Sequence, residues 1–190
     1  MSRRLPTLGQ KPASRAEQQR SRDIAQDWAA RPSERPLVPG RVLAVAHHQQ
    51  PVIAAQLARD LCAAFVREGA AVAALATVDT PALVVEAEQA WAGLMEAGAR
   101  QAKLLRRPDR DPRAMLESTL RALAAEVDWI IAWGNVVPQL LQPTFTVVVT
   151  GHRRELTTTA PLVMQAQLEV SAPTPELATL LARNLVREGV

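Results

Sequence analysis

The sequence predicts a three-layer α/β fold, a mainly parallel sheet with helices on both faces, preceded by a disordered basic arm. Alternation carries the prediction first: from Arg41 onward, short apolar runs take turns with amphipathic stretches. The runs are continuous and rich in Val, Ile and Ala, the composition of strands covered on both faces. Turn residues close the stretches, with Gly69, Gly98, Gly134 and Gly151 at their ends.

Val42–Ala46 reads as the first buried strand. Val52–Glu68 follows as a helix with Ile53, Leu57, Leu61 and Phe65 on one stripe, ending at Gly69. Ala71–Thr77 is the second strand. Asp79-Thr80-Pro81 signals a helix start, with Thr80 as cap and Pro81 as first helical residue, and the helix runs to about Ala97. Gln101–Leu105 is a short strand and Arg106–Arg113 an exposed charged loop. Residues 113–126 form a helix with Leu116, Leu120 and Leu123 inward.

Asp128–Trp133 is a core strand in which Trp129 and Trp133, four apart, share one face. Val136–Leu141 gives a helical turn, Phe145–Thr150 a strand, and Leu162–Val170 the last strand. Thr174-Pro175-Glu176 opens a terminal helix whose buried face is Leu177, Leu180, Leu181, Leu185 and Val186.

Composition bounds the function. The chain has 190 residues, 48% of them hydrophobic but only 3% aromatic, so Ala, Val and Leu must build the core. Against that background Trp91, Trp129 and Trp133 are conspicuous in the 39–190 domain. No apolar run is long enough to span a membrane, and no apolar segment of a secretory signal follows Met1, so the cytoplasm is the simplest setting. Cys62 is the lone cysteine, on a helix face expected to be buried, which excludes an internal disulfide.

Charge is uneven. Residues 1–41 carry a net +5 and the remainder −2, so the basic character belongs to the arm. A nucleic-acid binder should cluster its basic residues on the folded surface, which argues against that partner for the domain. Contact with nucleic acid through the arm is the remaining form of that reading. Residues 1–38, rich in Pro, Arg, Gln and Ser, cannot bury enough surface to offset their ordering entropy. One short helix is expected within them at about 14–30, with Ser14 and Glu17 at capping-box spacing and Ile24 and Trp28 on one face as a partner anchor.

The segment Val42–Ala58 has the strand–turn–helix layout that carries a phosphate-binding loop. Such a loop needs glycines so that backbone N–H groups can close around phosphate, and a lysine to neutralise it. Here the turn is His47-His48-Gln49-Gln50, followed by Pro51, which has no N–H to donate. In parallel α/β sheets ligands sit at the strand carboxyl ends, where the sequence places His47, Asp79, Trp133, Asn135 and His152. Candidate ligand-binding residues are therefore His47, His48, Gln49, Gln50, Asp79, Trp133 and Asn135. A zinc site from His47, His48, His152 and Asp79 is weighed against their role as loop residues, and the loop role is preferred because adjacent histidines leaving a strand diverge. No resident metal or cofactor is expected, and no catalytic residue is assigned.

Val42–Gly69 resembles the first strand, loop and helix of P-loop proteins of the signal-recognition/MinD class. Within that class, Ala90–Ala99 and Val127–Asn135 resemble the "AGA" helix end and "D-hydrophobic-VEG" strand of MobB-type proteins, the adaptor GTPases of molybdopterin-guanine dinucleotide biosynthesis. The resemblance places Gln50 at the phosphate-binding lysine, Pro51 at the Mg-binding Ser/Thr and Trp133 at the "VEG" acid. Gln supplies no positive charge and Trp ligates no metal, so it implies a scaffold that has lost nucleotide hydrolysis. The expected role is a non-catalytic accessory or assembly protein, serving a metalloenzyme or its cofactor pathway. Its partner would be another protein, met through the arm or the altered loop face, with a homodimer as a further possibility. The rival expectation is a small-molecule or nucleotide binder, or an enzyme, with a rebuilt site at the strand carboxyl ends.

Overall fold

A computed structural model describes residues 37–78, 80–106, 111–150 and 166–188. They belong to one of two compact units, Arg35–Val190. The element order is β1 (Val42–His47), α1 (Pro51–Arg67), β2 (Val72–Val78), a 3-10 turn (Pro81–Leu83), α2 (Val84–Glu96) and β3 (Gln101–Arg106). It continues with α3 (Pro112–Ala124), β4 (Trp129–Trp133), α4 (Val136–Leu140), β5 (Phe145–Val149), β6 (Leu168–Val170) and α5 (Pro175–Glu188). The strands form one sheet in the order β3-β2-β4-β1-β5-β6, and every pair is parallel. The predicted fold class is the observed one.

Strand alternation sorts the core into two layers. Leu43, Val45, Ala74, Ala76, Trp129, Ile131, Trp133 and Val147 point to one face, where they meet Leu57, Leu61 and Phe65 of α1, Leu94 of α2 and Ala178 and Ala182 of α5. Val42, Ala44, Ala73, Leu75, Ile130 and Ala132 point to the other, under Leu116, Leu120 and Leu123 of α3 and Val136, Val137 and Leu140 of α4. Covered on both faces, the central strands are apolar at nearly every position, with His47 and Thr77 as buried polar residues toward their carboxyl ends, so their sequences run without alternation.

Helix starts follow local chemistry. Asp111, with φ +40°, accepts a hydrogen bond from the Ala114 N–H at 3.0 Å, and Pro112 occupies the first position of α3. Thr174 Oγ1 accepts from the Leu177 N–H at 3.3 Å, capping α5 where the sequence places its start. Glu176 lies in that first turn, and hydrogen bonds from its own backbone N–H and from Thr174 lower its carboxyl pKa. At the amino ends of the strands, Asp128 ties β4 to β2. Its carboxylate accepts the Ala71 N–H at 2.7 Å while its own N–H donates to the Ala71 carbonyl at 2.9 Å.

Several expectations are corrected. Thr80 makes no side-chain cap, and Pro81 opens a 3-10 turn before the α-helix begins at Val84. Ile53 is exposed rather than part of the α1 stripe, and Ala54 and Ala58 take the buried positions beside Leu57 and Leu61. In α5, Leu180 is exposed, and the small residues Ala178 and Ala182 let the helix pack closely on α1. Arg106 belongs to β3 and Asp111–Arg113 to the start of α3, so the charged loop is shorter than read. The first part of the predicted last strand, the predicted arm helix and its Ile24 and Trp28 lie outside the described residues.

Candidate functional site at the strand carboxyl ends

β1 and β4 are neighbours whose connections leave in opposite directions. The chain after β1 passes through α1 on one face to β2, and the chain after β4 passes through α4 on the other face to β5. Such a reversal opens a crevice at the strand carboxyl ends, the usual ligand position in this architecture. His47 ends β1, and Trp133, Gly134 and Asn135 end β4, so the structure brings these predicted residues together at that crevice.

At these strand ends the backbone of His47 is bonded by another part of the chain. The Asn135 side chain accepts the His47 N–H at 2.9 Å and donates its amide N–H to the His47 carbonyl at 3.1 Å. Asn135 already has helical φ and ψ (−87°, −14°), so its backbone has left the sheet. The parallel register pairs Val45 with Trp133, and the Asn135 side chain supplies the rung that would come next. Only an amide of this length carries both a donor and an acceptor to that place.

The Trp133 ring, fully buried, stacks on the His47 imidazole with centroids 5.6 Å apart and planes 25° from parallel. Its Nε1–H donates to the Pro51 carbonyl at 3.3 Å, which holds the first turn of α1 over the sheet. Trp129 meets Phe65 edge-on at 5.1 Å near the far end of the same helix, so two indoles brace α1 at both ends. Gly134 makes the tight exit from β4. Its φ is +107°, its N–H reaches the Val45 carbonyl at 3.0 Å, and a Cβ there would lie 2.4 Å from Thr77 Oγ1. Thr77 in turn donates its hydroxyl to the Trp133 carbonyl at 3.0 Å.

The turn itself is short. His48, Gln49 and Gln50 alone separate β1 from α1. His47 and His48 are buried, and the His48 N–H continues the β1–β5 ladder by donating to the Val149 carbonyl at 2.8 Å. Gln49 is exposed and left-handed, with φ +57°, and Gln50 precedes the helix without capping it through its side chain. Asp79 and His152 lie outside the described residues. Among the described residues no cluster of His, Cys, Asp and Glu could hold a metal ion, and no helix is long and apolar enough to cross a membrane.

Sequence reasoning placed His47, Trp133 and Asn135 at the crevice but missed Thr77 and the close approach at Gly134. A glycine directly after a buried strand was the available signal; the threonine carried none, because its role depends on a neighbouring strand 56 residues away.

No family model and no curated protein matches the chain. Among solved structures, it is similar to the signal recognition particle 54 kDa protein from Aeropyrum pernix K1 in complex with GDP, at 14% identity and a TM-score of 0.49. That match covers 92% of this chain and 48% of the other, so the chain spans about half the length of that structure.

Proposed function

We propose that this chain is a non-catalytic, P-loop-like accessory or assembly protein whose ligand crevice is closed by its own side chains. The observation that carries the reading is the filling of the switch-point crevice by Asn135 and Trp133 against His47. A phosphate loop of the P-loop type spans about eight residues and surrounds the anion with backbone N–H groups. Here the connection is too short to wrap a phosphate, and its helix begins with a proline that has no N–H to offer. The indole that takes the place of the metal-arranging acid is buried beneath the helix start, where it serves packing.

The rim supports a protein partner. Val52 in the first turn of α1 is 64% exposed, and Val85 in the first turn of α2 is 61% exposed. The two helices run side by side, as the Arg59–Glu96 ion pair and the Cys62–Leu94 contact fix, so both first turns lie at the carboxyl end of the sheet. With Ile53, these apolar groups present a surface suited to another protein rather than to a nucleotide. The resemblance to MobB-type proteins favours a metalloenzyme or its cofactor pathway as the setting.

Thermal melting against GTP and ATP, with and without Mg²⁺, tests this. A ligand at a hundred times its dissociation constant adds about 2.7 kcal/mol of stability, so binding would be plain. A flat profile is expected. A shift that disappears in His47→Ala or His48→Ala would overturn the proposal in favour of a rebuilt site. A flat profile combined with partner capture that Val52→Glu and Val85→Glu abolish would establish the accessory role.

A further inference from the structure

β3 is an edge strand, paired among the described residues with β2 alone. The Arg100 N–H donates to the Val72 carbonyl at 2.8 Å, so by strand alternation the backbone groups of Arg100, Ala102 and Leu104 face β2. Those of Gln101, Lys103 and Leu105 face outward, a template for one more strand. Side chains alternate as well. Ala102 and Leu104 pack on the α2 side of the sheet and Leu105 on the α3 side, so Arg100 shares the first face and Lys103 the second.

Trp91 and Met95 border that edge, large, apolar and exposed at 39% and 40%. Ala87, Ala90 and Leu94 form the buried side of α2, and Glu96 marks its flank toward α1 by meeting Arg59 at 3.6 Å. At about 100° per residue, Glu88, Trp91 and Met95 fall together on the other flank. Glu88 pairs with Arg106 of β3 at 3.5 Å, which sets that flank beside the edge strand. Charge completes the surface. Arg100 and Lys103 are exposed, and neither meets a carboxylate among the described residues; Glu88 beside them is taken by Arg106.

We propose that the β3 edge takes an extended segment of another protein as an added strand, and that this segment alternates apolar residues with acids. Main-chain hydrogen bonds supply such binding, and alternate side chains supply its specificity. The residues opposite Ala102 and Leu104 fall on the α2 face, where Trp91 and Met95 extend the apolar shelf, so apolar side chains fit there. The residue between them falls opposite Lys103 and is an acid, since an opposite charge directly across is favourable and a like one is not. A further acid opposite Arg100 completes the pattern. Its core, apolar-acid-apolar, reads the same in either strand direction. An edge lysine turns away strands that carry its own charge and admits one of the other sign, so the same residue excludes and selects. The surface runs along the side of the sheet, and the inference is independent of the reading of the strand carboxyl ends.

The test is fluorescence anisotropy of a labelled peptide, Thr-Val-Glu-Val-Thr-Glu, titrated with the full chain. Two comparison peptides accompany it: one with lysine for both glutamates, and one of the same composition in blocks, Val-Val-Thr-Thr-Glu-Glu. Saturable binding of the alternating acidic peptide alone is expected. Lys103→Glu should weaken it about tenfold and turn the preference to the lysine peptide. Trp91→Ala should weaken it by about as much. Both side chains are exposed, and circular dichroism checks that the variants stay folded. No saturation by about 1 mM chain overturns the proposal. So does equal binding of the block peptide, which reduces the contact to net charge, or binding that Lys103→Glu leaves unchanged. A dimer in sedimentation that Trp91→Glu dissolves and the peptide does not would assign the edge to a second copy and overturn it too.

Discussion

Asn135 bonds both backbone polar groups of His47, accepting from its N–H at 2.9 Å and donating to its carbonyl at 3.1 Å. A side chain thereby continues a parallel sheet past the point where the backbone of β4 has turned into a helix. The contact lies at the strand carboxyl ends, beside the point where the connections from β1 and β4 part to opposite faces of the sheet.

Asn135→Ala should leave the His47 N–H and carbonyl unsatisfied at a part-buried position, at a cost of about 1–3 kcal/mol. Asn135→Asp should be no better, since a carboxylate retains the acceptor but turns an oxygen toward the His47 carbonyl. Denaturant melts of the two variants beside the wild type check this. An Asp variant as stable as the wild type would show that the amide donor contributes nothing.

Gly134→Ala should be destabilising by about 1–3 kcal/mol from overpacking, with backbone strain adding to it. The new Cβ would fall 2.4 Å from Thr77 Oγ1 and 2.7 Å from the Thr77 carbonyl oxygen, at φ +107°. Adding Thr77→Ala should recover only part of the loss, because the backbone carbonyl remains. A double-mutant cycle by urea unfolding measures the recovered part.

Trp133→Ala should cost about 3–5 kcal/mol and open a cavity beneath the first turn of α1. Apolar cavities take up apolar ligands of matching shape. Added indole should therefore raise the melting temperature of this variant and leave the wild type unchanged. Equal responses would mean that the surrounding residues collapse into the space.

The buried Cys62 thiol, pushed up to about 11 by desolvation, should resist thiol reagents in the folded protein at neutral pH. The unfolded thiol ionises near 9, so between pH 9 and about 11 the unfolded state binds fewer protons than the folded one. Stability from this group is complete below pH 9 and falls as pH rises through that window. The chain has no tyrosine to obscure the effect. Cys62→Ala should flatten the slope in unfolding free energy measured from pH 8.5 to 11.

The fold class, the sheet strands and the two core faces were legible along the chain because continuous apolar runs and helical stripes are local patterns. Trp129 and Trp133 could be put on one face from their spacing alone, and Cys62 in the core from its helix position. The absence of loop glycines and of a lysine was equally plain, and it sufficed to argue against phosphate chemistry.

Tertiary structure decided what no local pattern encodes. The order β3-β2-β4-β1-β5-β6 places β4 beside β1, and that adjacency alone turns Asn135 into a rung of the sheet and lays Trp133 on His47. It also made Thr77 the neighbour that forbids a side chain at Gly134. Ile53 and Leu180 read as core by periodicity but stand exposed, because the neighbouring elements cover Ala54 and Ala58 of α1 and Ala178 and Ala182 of α5 instead. Side-chain pattern determines which elements form. Which atoms meet depends on strand order and register, set by contacts between residues far apart in the chain.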